Sequence, residues 1–365
     1  MRGRTARWVV PERPLVEAPA EWALALGISP AATELFAASD VIDLHVDSFI
    51  WTRIIGYDLG REHAAGPLPG YVLNQVDIPR LRRVGIGGAT WVITTNPLLD
   101  GSERARAFEA NLAQLRASLE AHPGVSVVRT LGEYRAARRA ARHAAFIGIQ
   151  GGNAIDAHPA LSRLLSEGWV LRVTLVHMSN SGLGRTSSPL RWGSRSAGLS
   201  QAGRDYVEAL NAARVFVDLA HLSRAGFFEA LRVHDRSLPA LVTHTGVSGV
   251  HRHWRNLDDE QLRAIAATGG TIGIMYHASF LGDRLYAGRA ETVVRHLEHV
   301  IDVAGEDHAS LGSDWDGAIV TPRDMPTCLE LPRLVQSMLD RGWNVARIQK
   351  VLGGNFLRCL GALRG

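Results

Sequence analysis

Eight short apolar runs, each followed by a longer amphipathic or polar stretch, place the strongest constraint on the fold of this chain. Strands that alternate with helices pair in parallel, and eight such units close into a barrel. Runs such as AAFIGI and ALVTH are apolar at nearly every position, as a sheet covered on both faces requires. We expect strands at Val41–His45, Gly88–Thr95, Ala145–Gln150, Leu171–His177, Val215–Ala220, Ala240–His244, Thr271–Tyr276 and Ala309–Asp314.

The connecting segments support the same architecture, an α/β fold of the (β/α)8 TIM-barrel type. The chain has 365 residues, more than the roughly 250 of a plain barrel. The two longest spacers, Ser48–Arg80 and Asn96–Arg142, therefore predict insertions after the first and second strands. Apolar residues recur with the period of a helix in Glu103–Ala121, Ser200–Ala213, Asp258–Ala267 and Thr292–Val303.

Two further segments are assigned from their position and composition. Residues 1–40 precede the first strand, and we expect them to form an N-terminal extension that packs on a barrel domain of residues 41–365. The segment Met178–Gly198 follows the fourth strand and is rich in Ser, Gly and Arg. Long loops at the mouth of a barrel are typically functional, so this segment is a candidate lid or substrate loop.

The charge balance argues against a nucleic-acid partner. Forty Lys and Arg residues face thirty-six Asp and Glu residues, which gives a net charge of +4. The basic residues are interspersed with acidic ones instead of forming a track for phosphates. Lys350 is the single lysine and lies in a predicted helix, Trp343–Leu352, so a Schiff-base mechanism is discarded.

Cysteine content and hydropathy bear on location. Cys328 and Cys359 are too few for a disulfide framework and lack CxxC spacing, so we expect two reduced thiols. No apolar run reaches the length of about 18 residues that a membrane span needs. We therefore expect a cytoplasmic protein without a membrane partner. The sequence leaves open whether copies of the chain form a homo-oligomer.

The predicted strands deliver polar side chains at their carboxyl ends, the edge where barrel enzymes carry out their chemistry. The first strand ends in DLHVD and the third in Gln150. His177 and His244 end the fourth and sixth strands, His221 directly follows the fifth, and Asp314 ends the eighth. Four of the eight strands therefore bring a histidine to one mouth of the barrel.

A metal centre is the simplest use of this set. Side chains alternate along a strand, so His45 and Asp47 project to the same side, where both can reach one divalent ion. A single histidine at a strand end is more often a hydrogen-bonded structural group. Together, however, His45, Asp47, His221 and His244 favour a metal such as zinc, which accepts mixed nitrogen and oxygen ligands.

Eight segments follow one another in an order and spacing that carry a family resemblance. They are IDLHVDSFIW, FIGIQGGNAID, LRVTLVHMSNSG, VFVDLAHLSRAGFFEAL, ALVTHTGVSGVHRHWRN, HLEHVIDVAG, GSDWDG and GGNFLR, and they extend from about Val41 to the C-terminus. In these segments the chain resembles the membrane (renal) dipeptidase family of zinc peptidases, within the amidohydrolase superfamily. The ordered set is more specific than any one motif.

The resemblance implies a (β/α)8 barrel with a binuclear zinc centre that hydrolyses dipeptides, including those with a D-residue at the C-terminal side. His45 and Asp47 match the ligands of one zinc ion. His221 and His244 match the ligands of the other.

The resemblance also implies roles for three residues beside the metals. His177 matches the residue that polarises the scissile carbonyl. Arg255, in HRHWRN, matches the arginine that grips the substrate carboxylate, and Asp314 matches the aspartate that shuttles a proton. These roles agree with the chemistry of an imidazole donor, a guanidinium fork and a carboxylate base.

Two positions in GIQGGN depart from the family pattern, which is closer to GxEGGH. Gln150 stands where the family has a glutamate that bridges the two zinc ions, and Asn153 replaces the histidine of the same substrate-binding motif. A neutral amide offers one good oxygen donor and no charge to offset two ions about 3.5 to 4 Å apart. Gln150 is therefore a doubtful ligand, unless it only hydrogen-bonds intact neighbours, and the count of zinc ions stays at one or two.

The sequence predicts a zinc-dependent, dipeptidase-like amidohydrolase that cleaves a dipeptide or similar small amide through metal-activated water. The rival interpretation is a catalytically silent or repurposed homologue that binds a small molecule or acts as a scaffold. Gln150 and Asn153 favour the rival, whereas the other matched site residues oppose it. A metal count on the purified protein separates these interpretations most directly.

Overall fold

A computed structural model of the chain describes residues 10–63, 72–96, 98–189 and 198–365. In these ranges eight parallel strands form a barrel, which confirms the (β/α)8 architecture, and a ninth short strand lies off it. The strands are β1 (Ile42–Val46), β2 (Gly88–Thr94), β3 (Val125–Val127), β4 (His143–Gln150), β5 (Val170–Thr174), β6 (Phe216–Asp218), β7 (Leu241–Thr245), β8 (Thr271–Ile274) and β9 (Ala309–Leu311).

The barrel closes between its first and last strands. Its order is β1-β2-β4-β5-β6-β7-β8-β9, so sequence neighbours pair throughout except where β3 intervenes. The backbone N–H of Asp47 donates to the carbonyl of Trp315 at 2.8 Å, and that of Asp314 donates to the carbonyl of His45 at 3.1 Å. These bonds join the segment after β9 to the end of β1.

The short strand β3 is the one strand that the sequence prediction lacks. It pairs with the first three residues of β4, His143 to Ala145, before β5 joins β4 from Ile147 onward. Three residues of sequence VSV carry too little pattern to distinguish a strand from a loop.

Helices cover the outer face of the barrel, and the four helices predicted from periodicity are all present within two residues of their expected ends. The α-helices are α1 (Pro19–Leu26), α2 (Pro30–Ala37), α3 (Phe49–Ile55), α4 (Ile78–Val84), α5 (Gly101–Glu120), α6 (Leu131–Arg139), α7 (Leu161–Ser166), α8 (Gln201–Ala212), α9 (Arg224–Val233), α10 (Asp259–Ala266), α11 (Ala290–Ala304), α12 (Pro332–Asp340), α13 (Val345–Gln349) and α14 (Asn355–Arg364). Single 3-10 turns occur at Leu15–Glu17, Gly152–Ala154, Ala278–Leu281, Glu306–His308 and Cys328–Glu330, and a π-helical turn at Lys350–Gly354.

Side-chain caps explain where several helices begin. Asp100 accepts from the backbone N–H of Glu103, whose side chain accepts from the Asp100 N–H in return, and this capping box starts α5. Asp258 and Gln261 form the same arrangement at α10. Ser200 caps α8 through the N–H of Gly203. These caps set the helix starts that periodicity alone leaves uncertain.

Four strands, β5, β6, β8 and β9, end two or three residues before their predicted ends. The apolar pattern continues there, and single backbone hydrogen bonds to neighbouring strands persist, as from the Met275 N–H to the Thr245 carbonyl at 2.9 Å, but the regular strand has ended. His221, just past β6, and Asp314, past β9, have φ values of 66° and 64°. A non-glycine residue occupies this region at a cost of about 1 to 3 kcal/mol. Past β6 and β9 the apolar pattern therefore outlasts the regular strand, because the backbone turns at these residues.

The residues before β1 form helices that share the barrel's core. Leu15, Trp22 and Phe36 are fully buried in the large hydrophobic cluster. The backbone N–H of Ser29, the cap of α2, donates to Gln336 Oε1 on α12 at 2.7 Å. This packing joins α2 to the barrel's helical layer. The division of the chain into residues 1–40 and 41–365 stays a prediction.

Two long spacers carry the extra secondary structure. Ser48–Arg80 contains α3 and the start of α4, and its residues 64–71 lie outside the described residues. Asn96–Arg142 contains α5, β3 and α6. The candidate lid, Met178–Gly198, includes residues 190–197, which also lie outside the described residues. Among the described residues, no helix combines the length and apolar character that a membrane crossing requires.

His143 is a structural histidine at the start of β4, at the opposite end of that strand from Gln150. Its Nε2 accepts from Trp91 Nε1 at 3.2 Å, and its Nδ1–H donates to the carbonyl of Ile86 at 3.0 Å. Burial lowers the pKa of His143 to about 4. The folded protein therefore holds this imidazole neutral, while the unfolded chain protonates it near pH 6.5.

We predict that this histidine makes the protein less stable in mild acid. Because its pKa is lower in the folded state, the unfolded state binds the extra proton, and stability falls as the pH drops from about 6.5 to about 4. The loss approaches about 3 kcal/mol. Urea unfolding at pH 7, 5.5 and 4.5 measures it for the wild type and for His143→Gln. The wild type should lose more stability than the variant, and parallel curves would contradict the prediction.

Candidate metal centre

Four histidines from four different strand ends meet at the carboxyl mouth of the barrel. The rings of His45 and His244 have centroids 3.7 Å apart. His221 Nε2 lies 2.8 Å from His244 Nε2, and the ring of His177 stands edge-on to that of His221 at 4.8 Å. The structure therefore brings together all the histidines that the sequence assigned to the site.

Two carboxylates face the same cluster. Asp47 Oδ2 lies 3.6 Å and Asp314 Oδ1 3.7 Å from His45 Nε2, which is too far for a direct hydrogen bond. His45 Nε2 is buried without a hydrogen-bond partner in the described part of the chain. His45, His244 and Asp314 each offer one ligand atom, and these atoms lie within 4.8 Å of one another. The donor set and its spacing fit a metal ion.

The imidazoles of the centre are held neutral. Burial lowers the pKa of His177 to about 4. Burial also brings the pKa of His221 and of His244 well below the usual value, and the positive charge of Arg255 acts in the same direction. Neutral imidazole is the form that binds metals. The imidazoles are therefore already in the metal-binding form at neutral pH.

The two carboxyl groups are driven in opposite directions. Burial raises the pKa of Asp314 well above its usual value, and the negative charge of Asp47 adds to the effect. Burial would also raise the pKa of Asp47, but the proximity of His45 and a hydrogen bond from Thr94 outweigh burial and lower that pKa. Thr94 Oγ1 contributes by donating to Asp47 Oδ1 at 2.5 Å. Asp314 therefore holds a proton more readily than Asp47 does.

Gln150, the last residue of β4, lies directly beside the histidines. Its side chain is buried, its amide nitrogen lies 3.2 Å from His221 Nε2, and its amide oxygen accepts from Thr94 Oγ1 at 3.2 Å. The amide nitrogen therefore donates to the lone pair that His221 would offer to a metal. Whether Gln150 acts as a ligand stays a prediction.

Arg255 lies buried beside His244. It follows β7, is 2% exposed, and its Nη2 donates to the carbonyl of His244 at 2.5 Å. Its Nε is buried and has no hydrogen-bond partner among the described residues. A buried guanidinium N–H without an acceptor is costly unless a ligand supplies one.

Asn153 lies in the 3-10 turn Gly152–Ala154 that follows β4. Its backbone carbonyl accepts from Arg104 Nε at 2.7 Å, which ties the turn to α5. In the described part of the chain, no hydrogen bond joins its side chain to the four histidines. Its assignment to substrate binding stays a prediction.

The sequence analysis did not identify the buried charged residues that hydrogen-bond to the site residues from inside the barrel. Arg172 Nη2 donates to His45 Nδ1 at 2.6 Å, and Arg172 Nη1 donates to Asp218 Oδ2 at 3.1 Å. Asp43 accepts from the backbone N–H groups of His45 and Ser313. The available signal was a charged residue inside an otherwise apolar strand, as in VLRVT of β5 and FVD of β6. Buried charges in such strands are rare unless paired.

Comparison with solved structures finds the same barrel in metallopeptidases. Dipeptidase AC, a metallopeptidase of family M19, is 28% identical, with a TM-score of 0.79 over 90% of this chain and 99% of that one. A metallopeptidase from Rhodobacter sphaeroides, solved with a phosphinate mimic of the dipeptide L-Ala-D-Ala, is 26% identical, with a TM-score of 0.79 over 89% of this chain and 99% of that one.

Sequence comparison agrees. An uncharacterised dipeptidase of Schizosaccharomyces pombe is 29% identical over 338 residues, which span 87% of this chain and 79% of that protein. An uncharacterised protein encoded in the pqqA 5' region of Klebsiella pneumoniae is 35% identical over 166 residues, 45% of this chain and 60% of that protein. The family model for membrane dipeptidase, peptidase family M19, matches residues 30–364. Because that match spans nearly the whole chain, the protein belongs to the membrane dipeptidase family.

Proposed function

We propose that this chain is a zinc-dependent dipeptidase that hydrolyses the amide bond of a dipeptide or a similar small amide. One observation carries the proposal: the buried guanidinium of Arg255, whose Nε–H has no acceptor among the described residues, lies directly beside a cluster of neutral imidazoles and carboxylates. A dipeptide has a free carboxylate near its scissile amide and so matches both features. The dipeptide mimic bound by the Rhodobacter sphaeroides relative supports the substrate class.

His221 and His244 are the residues best placed to hold an ion, since their Nε2 atoms converge. His45 and Asp47 match the family's ligands of a second ion, and the count of ions stays at one or two. Zinc accepts this mixture of nitrogen and oxygen donors. When bound, the ion would polarise the amide carbonyl and lower the pKa of a water molecule.

Arg255 would anchor the free carboxylate of the substrate. Its backbone lies in the loop after β7 and its Nη2 is tied to the carbonyl of His244. The free Nε–H can therefore be aimed at a substrate oxygen without reorganisation. A charge-assisted bond of this kind fixes the substrate relative to the histidines.

His177 and Asp314 would act on the reacting atoms. His177 is neutral and half-buried at the mouth, so an N–H of its ring can donate to the carbonyl oxygen as negative charge develops there. Asp314 Oδ1 lies 3.7 Å from His45 Nε2 at the edge of the cluster where β1 and the segment after β9 meet. From that position its carboxylate would take a proton from the attacking water and deliver it to the leaving amine.

The comparisons do not favour the rival of a catalytically silent homologue. A cytoplasmic location is also part of the proposal, and Cys328 and Cys359, both buried free thiols, are consistent with a reducing compartment. A homo-oligomer stays an open prediction.

Dipeptide hydrolysis by the purified full-length chain tests the proposal. We expect L-Ala-D-Ala to be cleaved after loading with Zn²⁺, activity to disappear with a chelator, and zinc to restore it. Release of alanine, followed by amino-acid analysis, is the measurement. A zinc-loaded, folded chain that cleaves none of a panel of L,L- and L,D-dipeptides would contradict the proposal.

We predict that His221→Ala and His244→Ala each remove bound zinc, because each deletes one of two converging nitrogen donors. Loss of a ligand that binds only the folded state also removes about 3 to 4 kcal/mol of stabilisation when zinc is present at 100 to 1,000 times its Kd. Elemental analysis and thermal unfolding with and without zinc measure both effects. His143→Gln is the matched control and should keep its zinc. Undiminished zinc in both alanine variants would disprove the assignment.

We predict that Arg255→Lys weakens binding of dipeptides but not of their C-terminal amides. Lysine keeps the charge but cannot reproduce the planar guanidinium contact. Loss of a charge-assisted hydrogen bond of about 1.5 to 3 kcal/mol corresponds to a 10- to 100-fold rise in KM. Steady-state kinetics on L-Ala-D-Ala and its amide compare the two cases. An equal rise for both substrates would mean that another residue holds the carboxylate.

A further inference from the structure

A buried arginine contacts the Nδ1 atom of His45, a residue that the sequence predicts to be a metal ligand. Arg172, in β5, is 1% exposed, and its Nη2 lies 2.6 Å from Nδ1 of His45. His45 Nε2, the other ring nitrogen, is the atom that faces Asp47 and Asp314. A neutral imidazole carries one ring proton, so the contact at Nδ1 determines whether that proton lies on Nε2.

The barrel interior is shaped around this guanidinium. A Cβ at Gly148 in β4 would lie 2.7 Å from Arg172 Nε, so the glycine provides the space that the arginine occupies. Arg172 Nη1 donates to Asp218 Oδ2 at 3.1 Å and to the hydroxyl of Thr174. Asp218 is itself fully buried and fixed by Thr243 Oγ1 at 2.7 Å. The pair is charge-balanced, and its geometry is fixed on several sides.

A guanidinium has N–H donors and no acceptor. His45 Nδ1 must therefore be the acceptor in this contact, and its lone pair is used. In a neutral imidazole the single proton then sits on Nε2. A histidine that binds a metal through Nε2 requires the opposite arrangement, with the proton on Nδ1 and donated to a carboxylate or carbonyl.

We infer that Arg172 holds His45 as its Nε2–H tautomer, so that His45 directs an N–H, and not a lone pair, toward Asp47 and Asp314 and is not a metal ligand. The inference rests on the metal centre of the proposed function and changes its composition. The close spacing of His45, His244 and Asp314 is retained, but one of the three lacks a free lone pair. The ion is then held by His221 and His244, once the neutral amide of Gln150 gives up its hydrogen bond to His221 Nε2. Arg172 cannot give way in the same manner, because Asp218 and Thr174 fix its guanidinium.

The charge of the centre leads to the same result. Gln150 supplies no negative charge between two ions, and the charge of Arg172 is already balanced by Asp218. The missing carboxylate at position 150 disfavours a second cation. This chain therefore has a one-ion centre in which Arg172 is a positioning residue.

Zinc content of Gln150 and Arg172 variants tests the inference. If Gln150 alone limited the site, Q150E would bind about two ions per chain. We expect Q150E to remain at about one, because His45 still lacks a free lone pair, and Q150E/R172M to reach about two. Q150E/R172K is the matched control and should remain at about one, because lysine also donates only. Two ions in Q150E, or one ion in a folded Q150E/R172M, would overturn the inference.

The R172M change leaves Asp218 with other partners. Its carboxylate still accepts from Thr174 Oγ1, from Thr243 Oγ1 and backbone N–H, and from the N–H of Ala220. It could then also accept from a protonated His45 Nδ1. Circular dichroism and thermal unfolding establish that the variant is folded before its zinc is counted.

A second measurement uses the wild-type chain and does not depend on the folding of the Arg172 variants. Long-range ¹H–¹⁵N spectra of ¹⁵N-histidine-labelled protein distinguish the two neutral tautomers, and H45Q identifies the His45 signals. We expect His45 to carry its proton on Nε2 both before and after zinc addition, while the His221 and His244 signals shift. A proton on Nδ1, or a His45 Nε2 that shifts like a ligand, would overturn the inference.

The zinc count of H45Q supplies an independent comparison with H221A. We expect folded H45Q to retain its ion, whereas H221A loses it. If H45Q loses the ion as well, His45 is a ligand and the inference is wrong. None of these measurements uses dipeptide cleavage, so a one-ion chain with the expected His45 tautomer and no activity would support the inference and overturn the proposed function.

Discussion

The hydrogen bond from the Asp314 N–H to the His45 carbonyl closes the barrel and also sets the geometry of its site. Strand β1 ends one residue past His45, and Asp314 follows β9, so the last pairing of the sheet determines how far apart their side chains lie. A barrel that opened at this seam would separate Asp314 from the histidines on the other strands. The closure of the sheet and the arrangement of the candidate centre therefore depend on the same backbone contacts.

Closure of the barrel does not by itself explain how so many polar side chains can be buried at its mouth without a large cost in free energy. A buried polar group without a partner costs free energy, so each must be paired or kept neutral. The structure does both: burial keeps the histidines neutral, while Arg172 and Asp218 neutralise each other. The left-handed backbone at His221 and Asp314 also costs conformational free energy, and both residues lie at the mouth of the barrel.

The sequence predicted the barrel well because its signals are long and repeated. Eight apolar runs and periodic helices locate elements even though their ends shift, as at β9. The convergence of His45, Asp47, His221 and His244 was also predictable, since parallel strands bring their carboxyl ends to one edge. The short strand β3 and the helix caps depend on contacts that leave little trace in the local pattern. Asn153 matches a motif, yet its position does not establish a role.

The residues that hydrogen-bond to the site from behind could not be predicted, and they determine which ring nitrogens can bind a metal. Matching a motif identifies a side chain but not which of its atoms has a free lone pair. For His45 that depends on Arg172, 127 residues further along the chain and visible in the sequence only as a charge inside an apolar strand. Because a guanidinium can only donate, its contact with Nδ1 decides the state of Nε2 without touching it. A family member can therefore retain the ligand residues of a metal centre while the residue behind one of them removes it from the ligand set.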